Sequence, residues 1–125
     1  MKKEFNILAA AQFQKERAQR IKQERDRLLA KARTDFDAII KMIIERYRPT
    51  AIYQWGSLID GKHFTERSDI DIAVTGIKSA ETFFALAGEA MHMTEFPLDI
   101  LQLEKIAPEF RQQILTTGRK VYDHN

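Results

Sequence analysis

The chain has 125 residues, of which 44% are hydrophobic and 30% are charged, with five glycines, three prolines and no cysteine. This length allows one domain with a modest core and is too short for two independent domains. The composition is globular, and the absence of cysteine excludes disulfides and cysteine-ligated metal sites. Because Asn6 and Gln12 interrupt the N-terminal apolar stretch, we expect no signal peptide. No apolar stretch approaches the length of a membrane span, so we expect no membrane contact, and the lack of cysteine fits a cytoplasmic location.

The formal net charge of +2 is unevenly distributed along the chain. Residues 1–33 contain ten Lys or Arg and four Asp or Glu, so the other 92 residues have an excess of four negative charges. We expect a basic helical extension over residues 1–33 and one folded domain over residues 34–125. A basic helix is most often simply solvated, and contact with nucleic acid or an acidic partner is the less frequent alternative.

The first predicted element is helical and spans about residues 4–47, either as one long helix or as two helices with a joint. This segment has no Pro or Gly and is rich in helix-forming residues. An apolar stripe runs along one side and widens after Arg33. We therefore expect the second half to pack on the core and the first half to project or to pair with another chain, including a second copy. The stripe consists of Ala11, Ala18, Ile21, Leu28, Ala32, Phe36, Ile39 and Ile43.

Three short strands and two shorter helices follow, bounded by Pro, Gly or capping residues. A short helical turn and a loop separate the first two strands. The expected fold class is α/β, with a small mixed sheet flanked by helices and a long N-terminal helical extension. The predicted strands are residues 51–55, 69–74 and 97–103, and the predicted helices are residues 79–93 and 108–117.

Alternation along the second strand places Asp69 and Asp71 on the same face. Two adjacent carboxylates repel each other, and a divalent cation relieves that repulsion. Mg²⁺ typically takes one or two carboxylates and completes its coordination with water and substrate phosphates, which favours phosphoryl transfer. Asp99 would complete a cluster for two metal ions if its strand lies beside the second one. A solvated strand face is the alternative for these residues.

Gly56 and Ser57 directly follow the first strand. A sharp turn exposes backbone N–H groups there, and glycine lets phosphates approach closely. The turn is therefore a candidate site for the β- and γ-phosphates of a nucleotide, although an ordinary turn can have the same sequence.

The Gly56-Ser57 pair is followed after eleven residues by Asp69-x-Asp71, and Asp99 lies on a later strand. This arrangement resembles the DNA polymerase beta-like nucleotidyltransferase superfamily, and among its members the minimal nucleotidyltransferases. The resemblance implies transfer of a nucleoside monophosphate, AMP from ATP first among the candidates, to an acceptor hydroxyl. It also implies that the three aspartates are catalytic and hold two Mg²⁺ ions.

The resemblance covers residues 34–122 and has one departure. Many relatives carry an Arg shortly after the Gly-Ser pair, where this chain has Ile59-Asp60-Gly61-Lys62. Lys62 or Arg67 would then supply the positive charge toward the triphosphate, and Ser68 is the remaining predicted nucleotide contact. A weaker or altered nucleotide site is the alternative.

The sequence contains no second domain that could bind the acceptor. Minimal members are similar to the antitoxin half of two-gene modules whose partner is an all-helical HEPN-domain ribonuclease toxin, and some add AMP to that partner. The resemblance thus implies a protein adenylyltransferase that acts as the antitoxin of such a pair. Two alternatives stay open: a binding module with little or no catalysis that neutralises a partner by contact, and a nucleic-acid-associated protein led by its basic helix.

Overall fold

The first element, α1 (Lys2–Tyr47), is one uninterrupted helix, which decides between the two predicted alternatives. It ends where Arg48 adopts a φ of 49° and Pro49 prevents continuation. The computed structural model describes the backbone of residues 2–125 and the side chains of residues 6–125. Within this part of the chain, no helix is both long and apolar enough to cross a membrane.

The remaining elements confirm the predicted strands and helices, with small shifts at their ends. Ser79 caps the second helix, since its Oγ accepts a hydrogen bond from the Thr82 backbone N–H, and the last helix begins with Pro108 and is followed by Gly118. A single 3₁₀ turn separates the third strand from the last helix. The elements are β1 (Ala51–Trp55), β2 (Ile70–Thr75), α2 (Ala80–Met91), β3 (Leu98–Gln102), the 3₁₀ turn (Leu103–Lys105), α3 (Pro108–Thr117) and β4 (Arg119–Asp123).

The four strands form one mixed sheet in the order β3-β2-β1-β4. The central strand β1 is antiparallel to both β2 and β4, whereas β2 and β3 are parallel and are connected across the sheet by α2. The edge strand β4 is the one strand that the sequence does not predict. Its residues are largely exposed and charged, so it lacks an apolar alternation and its strand conformation depends on pairing with β1.

The alternation predicted for β2 is confirmed by the side chains around it. Ile70, Ile72 and Val74 are fully buried in the main core, which the second half of α1 and the helix α2 complete. Ala73 points to the opposite face and packs in a smaller cluster with Ile114 of α3. The helices therefore cover both faces of the sheet, and Asp71 lies on the face that α3 covers only in part.

The two halves of α1 differ as predicted in their contact with the core. Every residue from 6 to 27 is exposed, while Ala32, Ile39 and Ile43 are fully buried. Near the end of α1, the Tyr47 hydroxyl donates a hydrogen bond to Glu89 of α2 at 2.9 Å. We call residues 6–27 the N-terminal arm.

We predict that Ile43→Ala lowers the free energy of unfolding by about 2–4 kcal/mol, because it leaves a cavity in the core. The matched change Ile7→Ala, in the arm, should lower it by less than about 0.5 kcal/mol, since Ile7 is 71% exposed. Urea denaturation followed by circular dichroism measures both values. Equal losses would contradict the division of α1 into a packed half and an exposed half.

Candidate active site

The parallel pairing of β2 with β3 brings three carboxylates together. Asp71 of β2 lies opposite Asp99 of β3, and Asp69 immediately precedes β2. One oxygen from each of the three side chains lies within 4.8 Å of the others. The expectation that the Asp99 strand lies beside the second strand is therefore confirmed.

The environment of this cluster opposes its negative charge. Asp71 is only 6% exposed, and burial, together with the charges of Asp69 and Asp99, raises its pKa from 3.8 to about 7. Burial and the charge of Asp69 also raise the pKa of Asp99. The ion pairs formed by the described side chains lie elsewhere in the molecule. The cluster is thus costly without a cation.

These properties fit a divalent metal ion. Oxygen ligands are those that Mg²⁺ prefers, and converging carboxylates with raised pKa values are the groups that a bound cation would keep ionised. Asp69, Asp71 and Asp99 are the residues that would hold it.

The turn after β1 lies directly against this cluster. Gly56 has a φ of +86°, and a Cβ atom at this position would lie 2.0 Å from Oδ2 of Asp71. Glycine is therefore required both by the backbone conformation and by the adjacent carboxylate. One helical turn follows, in which the Gly61 N–H donates to the Ser57 carbonyl at 3.1 Å. The predicted turn and the predicted carboxylates belong to one site.

The other predicted nucleotide contacts lie in the loop between this turn and β2. The Ser68 Oγ accepts a hydrogen bond from the Thr65 backbone N–H at 2.9 Å and so stabilises the end of the loop. Lys62 and Arg67 line a cavity of about 560 Å³ between the loop and the arm. Ser57 is half-buried beside Gly56. The contact of these four side chains with a nucleotide stays a prediction.

A second cavity, of about 460 Å³, adjoins the Gly56 turn on the side of α3. Trp55 lies opposite Asp71 in the sheet and contacts Phe110 of α3 edge-to-face, with ring centroids 5.3 Å apart. From the sequence we expect Trp55 to belong to the core rather than to stack on a base. Its position one residue before the Gly56 turn is the one signal in the sequence that places it near the site. The cavity is lined by Trp55, Gly56, Ile59, Asp60, Phe110, Gln113, Ile114 and Thr117.

A mixed sheet that carries three converging aspartates beside a Gly-Ser turn defines a nucleotidyltransferase-type fold. The family described as Polymerase beta, Nucleotidyltransferase matches residues 37–125. The chain belongs to this family, which confirms the resemblance drawn from the sequence and supports transferase activity in general.

Solved structures with the same fold agree with this assignment. A mutant of the toxin–antitoxin complex MntA-HpeT is 26% identical with a TM-score of 0.59, over 71% of this chain and 72% of that chain. A toxin–antitoxin structure with AMP-PNP is 24% identical with a TM-score of 0.58, over 70% of this chain and 73% of that chain. A minimal nucleotidyltransferase is 21% identical with a TM-score of 0.58, over 72% of this chain and 92% of that chain. No curated protein sequence matches the chain.

We predict that Asp71→Asn stabilises the metal-free protein above pH 7. Below the ordinary pKa of 3.8, Asp71 is protonated in both the folded and the unfolded chain. As the pH rises toward about 7, the unfolded chain releases this proton first, so the folded state loses stability. The variant should remove this loss. Its free energy of unfolding should exceed that of the native chain by on the order of 2 kcal/mol at about pH 8, but by little at about pH 4. Urea titrations across this range measure the difference.

Added Mg²⁺ should raise the melting temperature of the native chain and leave that of Asp71→Asn almost unchanged, because the variant lacks one ligand charge. Asp37→Asn, an exposed substitution on α1, is the control and should respond to Mg²⁺ like the native chain. An equal response of all three proteins would contradict a metal site at this cluster.

We predict that Gly56→Ala lowers the free energy of unfolding by roughly 1–3 kcal/mol, because alanine is strained at this φ and its Cβ would displace the Asp71 carboxylate. It should also abolish the stabilisation by Mg²⁺. Gly88→Ala in α2 is the matched control, since no atom lies within 4 Å of its added Cβ. That change should be neutral or stabilising. Similar effects of the two substitutions in thermal and urea unfolding would refute the role given to Gly56.

Proposed function

We propose that the chain transfers a nucleoside monophosphate from a nucleoside triphosphate to a hydroxyl of a partner protein. ATP is the first candidate for the triphosphate. The observation that carries this proposal is the contact of the Gly56 turn with the cluster of Asp69, Asp71 and Asp99. This contact joins a backbone suited to phosphates with carboxylates suited to Mg²⁺. Membership of the family supports the same reaction class.

The residues of the site have separate roles in the proposed reaction. The N–H groups of the Gly56-Ser57 turn bind the β- and γ-phosphates, with Lys62, Arg67 and Ser68 as further nucleotide contacts. Mg²⁺ held by the three aspartates would offset the phosphate charge and lower the pKa of the acceptor hydroxyl.

Asp99 has the role of proton acceptor in this proposal. Its carboxylate is half-buried at the edge of the cluster, and in this proposal it lies nearest to the attacking hydroxyl. The acceptor oxygen forms a bond to the α-phosphorus, and the bond from this phosphorus to the oxygen that bridges to the β-phosphate breaks. Pyrophosphate leaves, and the hydroxyl proton passes to Asp99. Catalysis rests mainly on positioning and charge.

The proposed biological setting is a toxin–antitoxin pair in which this chain is the antitoxin. The neighbour at 26% identity is such a complex. We propose that the acceptor is a hydroxyl on a helical HEPN-type toxin encoded beside this chain. AMP transfer would then silence that toxin.

We predict that ATP and Mg²⁺ add the mass of AMP to the co-expressed product of the adjacent gene. A label on the α-phosphate should enter the product, whereas a label on the γ-phosphate should not. Asp71→Asn should reduce the rate by at least about a hundredfold, because it weakens both metal binding and charge balance. Intact-mass spectrometry measures the adduct.

Asp37→Asn serves again as the control and should retain the native rate. If the partner acquires no adduct but is still silenced by Asp71→Asn, the enzymatic proposal fails and neutralisation acts by contact alone.

A further inference from the structure

The N-terminal arm extends beyond the folded domain as a single exposed helix. Its 22 residues span about 33 Å at the rise of an α-helix, and every one of them is exposed. The family match begins only at residue 37, so the arm lies outside the part of the chain that defines the catalytic fold. A function for the arm must therefore be sought separately from the site.

One face of the arm carries an apolar stripe with the spacing of a two-helix contact. Ile7, Ala11, Ala18 and Ile21 follow steps of four, seven and three residues, and the same face continues into the core through Ala32. Gln14 and Arg25 are the polar residues on this face. Ile7 is 71% exposed and Ile21 is 53% exposed. The surface that packs on the domain in the second half of α1 is thus continued in the arm, where the described residues of the chain leave it exposed.

Most of the charged residues beside this stripe are basic. Lys15 and Lys22 flank one side of it, and Arg17 and Glu24 flank the other, where Glu24 is already paired with Arg27. Parallel pairing of two copies would oppose Arg17 to Lys22, and antiparallel pairing would oppose Lys15 to Lys22 while it brings Arg17 to Glu24. Residues 6–27 contain six Lys or Arg and three Asp or Glu, so two copies of the arm repel each other. A second copy is therefore a poor occupant, and a helix edged with carboxylates is a good one.

The base of the stripe opens into the 560 Å³ cavity between the arm and the loop that leads to β2. Ile21, Leu28 and Phe64 supply its apolar surface. Arg25, Lys62 and Arg67 line it with positive charge, and Arg25 donates to the Lys62 carbonyl at 3.5 Å. Of its two carboxylates, Glu24 is paired with Arg27 at 2.7 Å, and Glu66 is the other.

We infer that the arm and this cavity bind an amphipathic helix of a partner protein whose apolar stripe is edged by Asp and Glu. The apolar positions of the two helices pack together, while Lys15, Arg17 and Lys22 pair with the partner's carboxylates. The loop that lines the cavity continues from Arg67 through Ser68 to Asp69, so one end of the partner would contact the segment that leads to the first carboxylate of the cluster. That this partner is also the acceptor rests on the proposed function, whereas the binding itself does not.

The test uses the full chain and a labelled synthetic helix of about four heptads, with Leu at the apolar positions and Glu at the flanking ones. Fluorescence anisotropy should show that it binds at least about tenfold more tightly than the same peptide with Lys in place of Glu. Combined Lys15→Glu, Arg17→Glu and Lys22→Glu substitutions should reverse this preference. The control combines three substitutions outside the arm that change the net charge equally and should leave the preference for the Glu peptide unchanged: Lys41→Glu, Lys78→Glu and Lys105→Glu.

The apolar contribution has its own matched pair of variants. Ile7→Ser with Ile21→Ser should weaken binding of the Glu peptide at least about tenfold, because both side chains lie in the stripe. Phe84→Ser with Leu115→Ser alters two exposed apolar residues elsewhere and should leave binding unchanged.

Three results would overturn the inference. The first is equal binding of the Glu and Lys peptides. The second is tight binding of an RNA or DNA duplex whose affinity is unchanged by Ile7→Ser with Ile21→Ser. The third is a dimer of the native chain, seen by light scattering, that the same two substitutions dissociate. Asp71→Asn should bind the Glu peptide like the native chain. Failure of AMP transfer and failure of arm binding are thus separate outcomes.

Discussion

The parallel pairing of β2 with β3 is the interaction on which the site depends. It sets Asp71 opposite Asp99, while the antiparallel pairing of β1 with β2 sets Asp71 opposite Trp55 at the end of β1. The pairing is maintained from the opposite face of the sheet, where Ile70, Ile72 and Ile100 are buried against α1 and α2. Apolar burial on one face therefore compensates for carboxylates that repel each other on the other.

This arrangement sacrifices stability for chemistry at a definable place. Burial and neighbouring charge raise the pKa of Asp71 to about 7. Such a shift does not stabilise the fold, and shifts of this kind are concentrated at functional sites. Gly56 allows the turn to approach the carboxylate as closely as backbone atoms permit. In the proposed reaction, a triphosphate and its cations would relieve this concentration of negative charge.

The long helix serves two parts of the molecule. From Leu28 onward α1 is a structural helix that buries residues such as Ile39 and Ile43, and before that point it is an exposed arm. A helix anchored at one end holds its other end at a fixed distance and direction without needing a second domain. In the proposals made above, the sheet supplies the nucleotide chemistry and the arm supplies recognition, so a small chain separates the two tasks.

Local rules of the sequence were sufficient for much of this structure. Alternation placed Asp71 and Ile72 on opposite faces, Pro49 ended α1, and glycine after β1 indicated a turn, because each depends only on neighbouring residues. Other features required the folded chain. The neighbourhood of Asp99, the formation of β4 and the cavity beside Trp55 all depend on which distant segments pair, and sequence spacing does not encode that choice. The sequence by itself determined the chemical groups and their faces, whereas only the tertiary structure decided their convergence, since strand pairing is a long-range interaction.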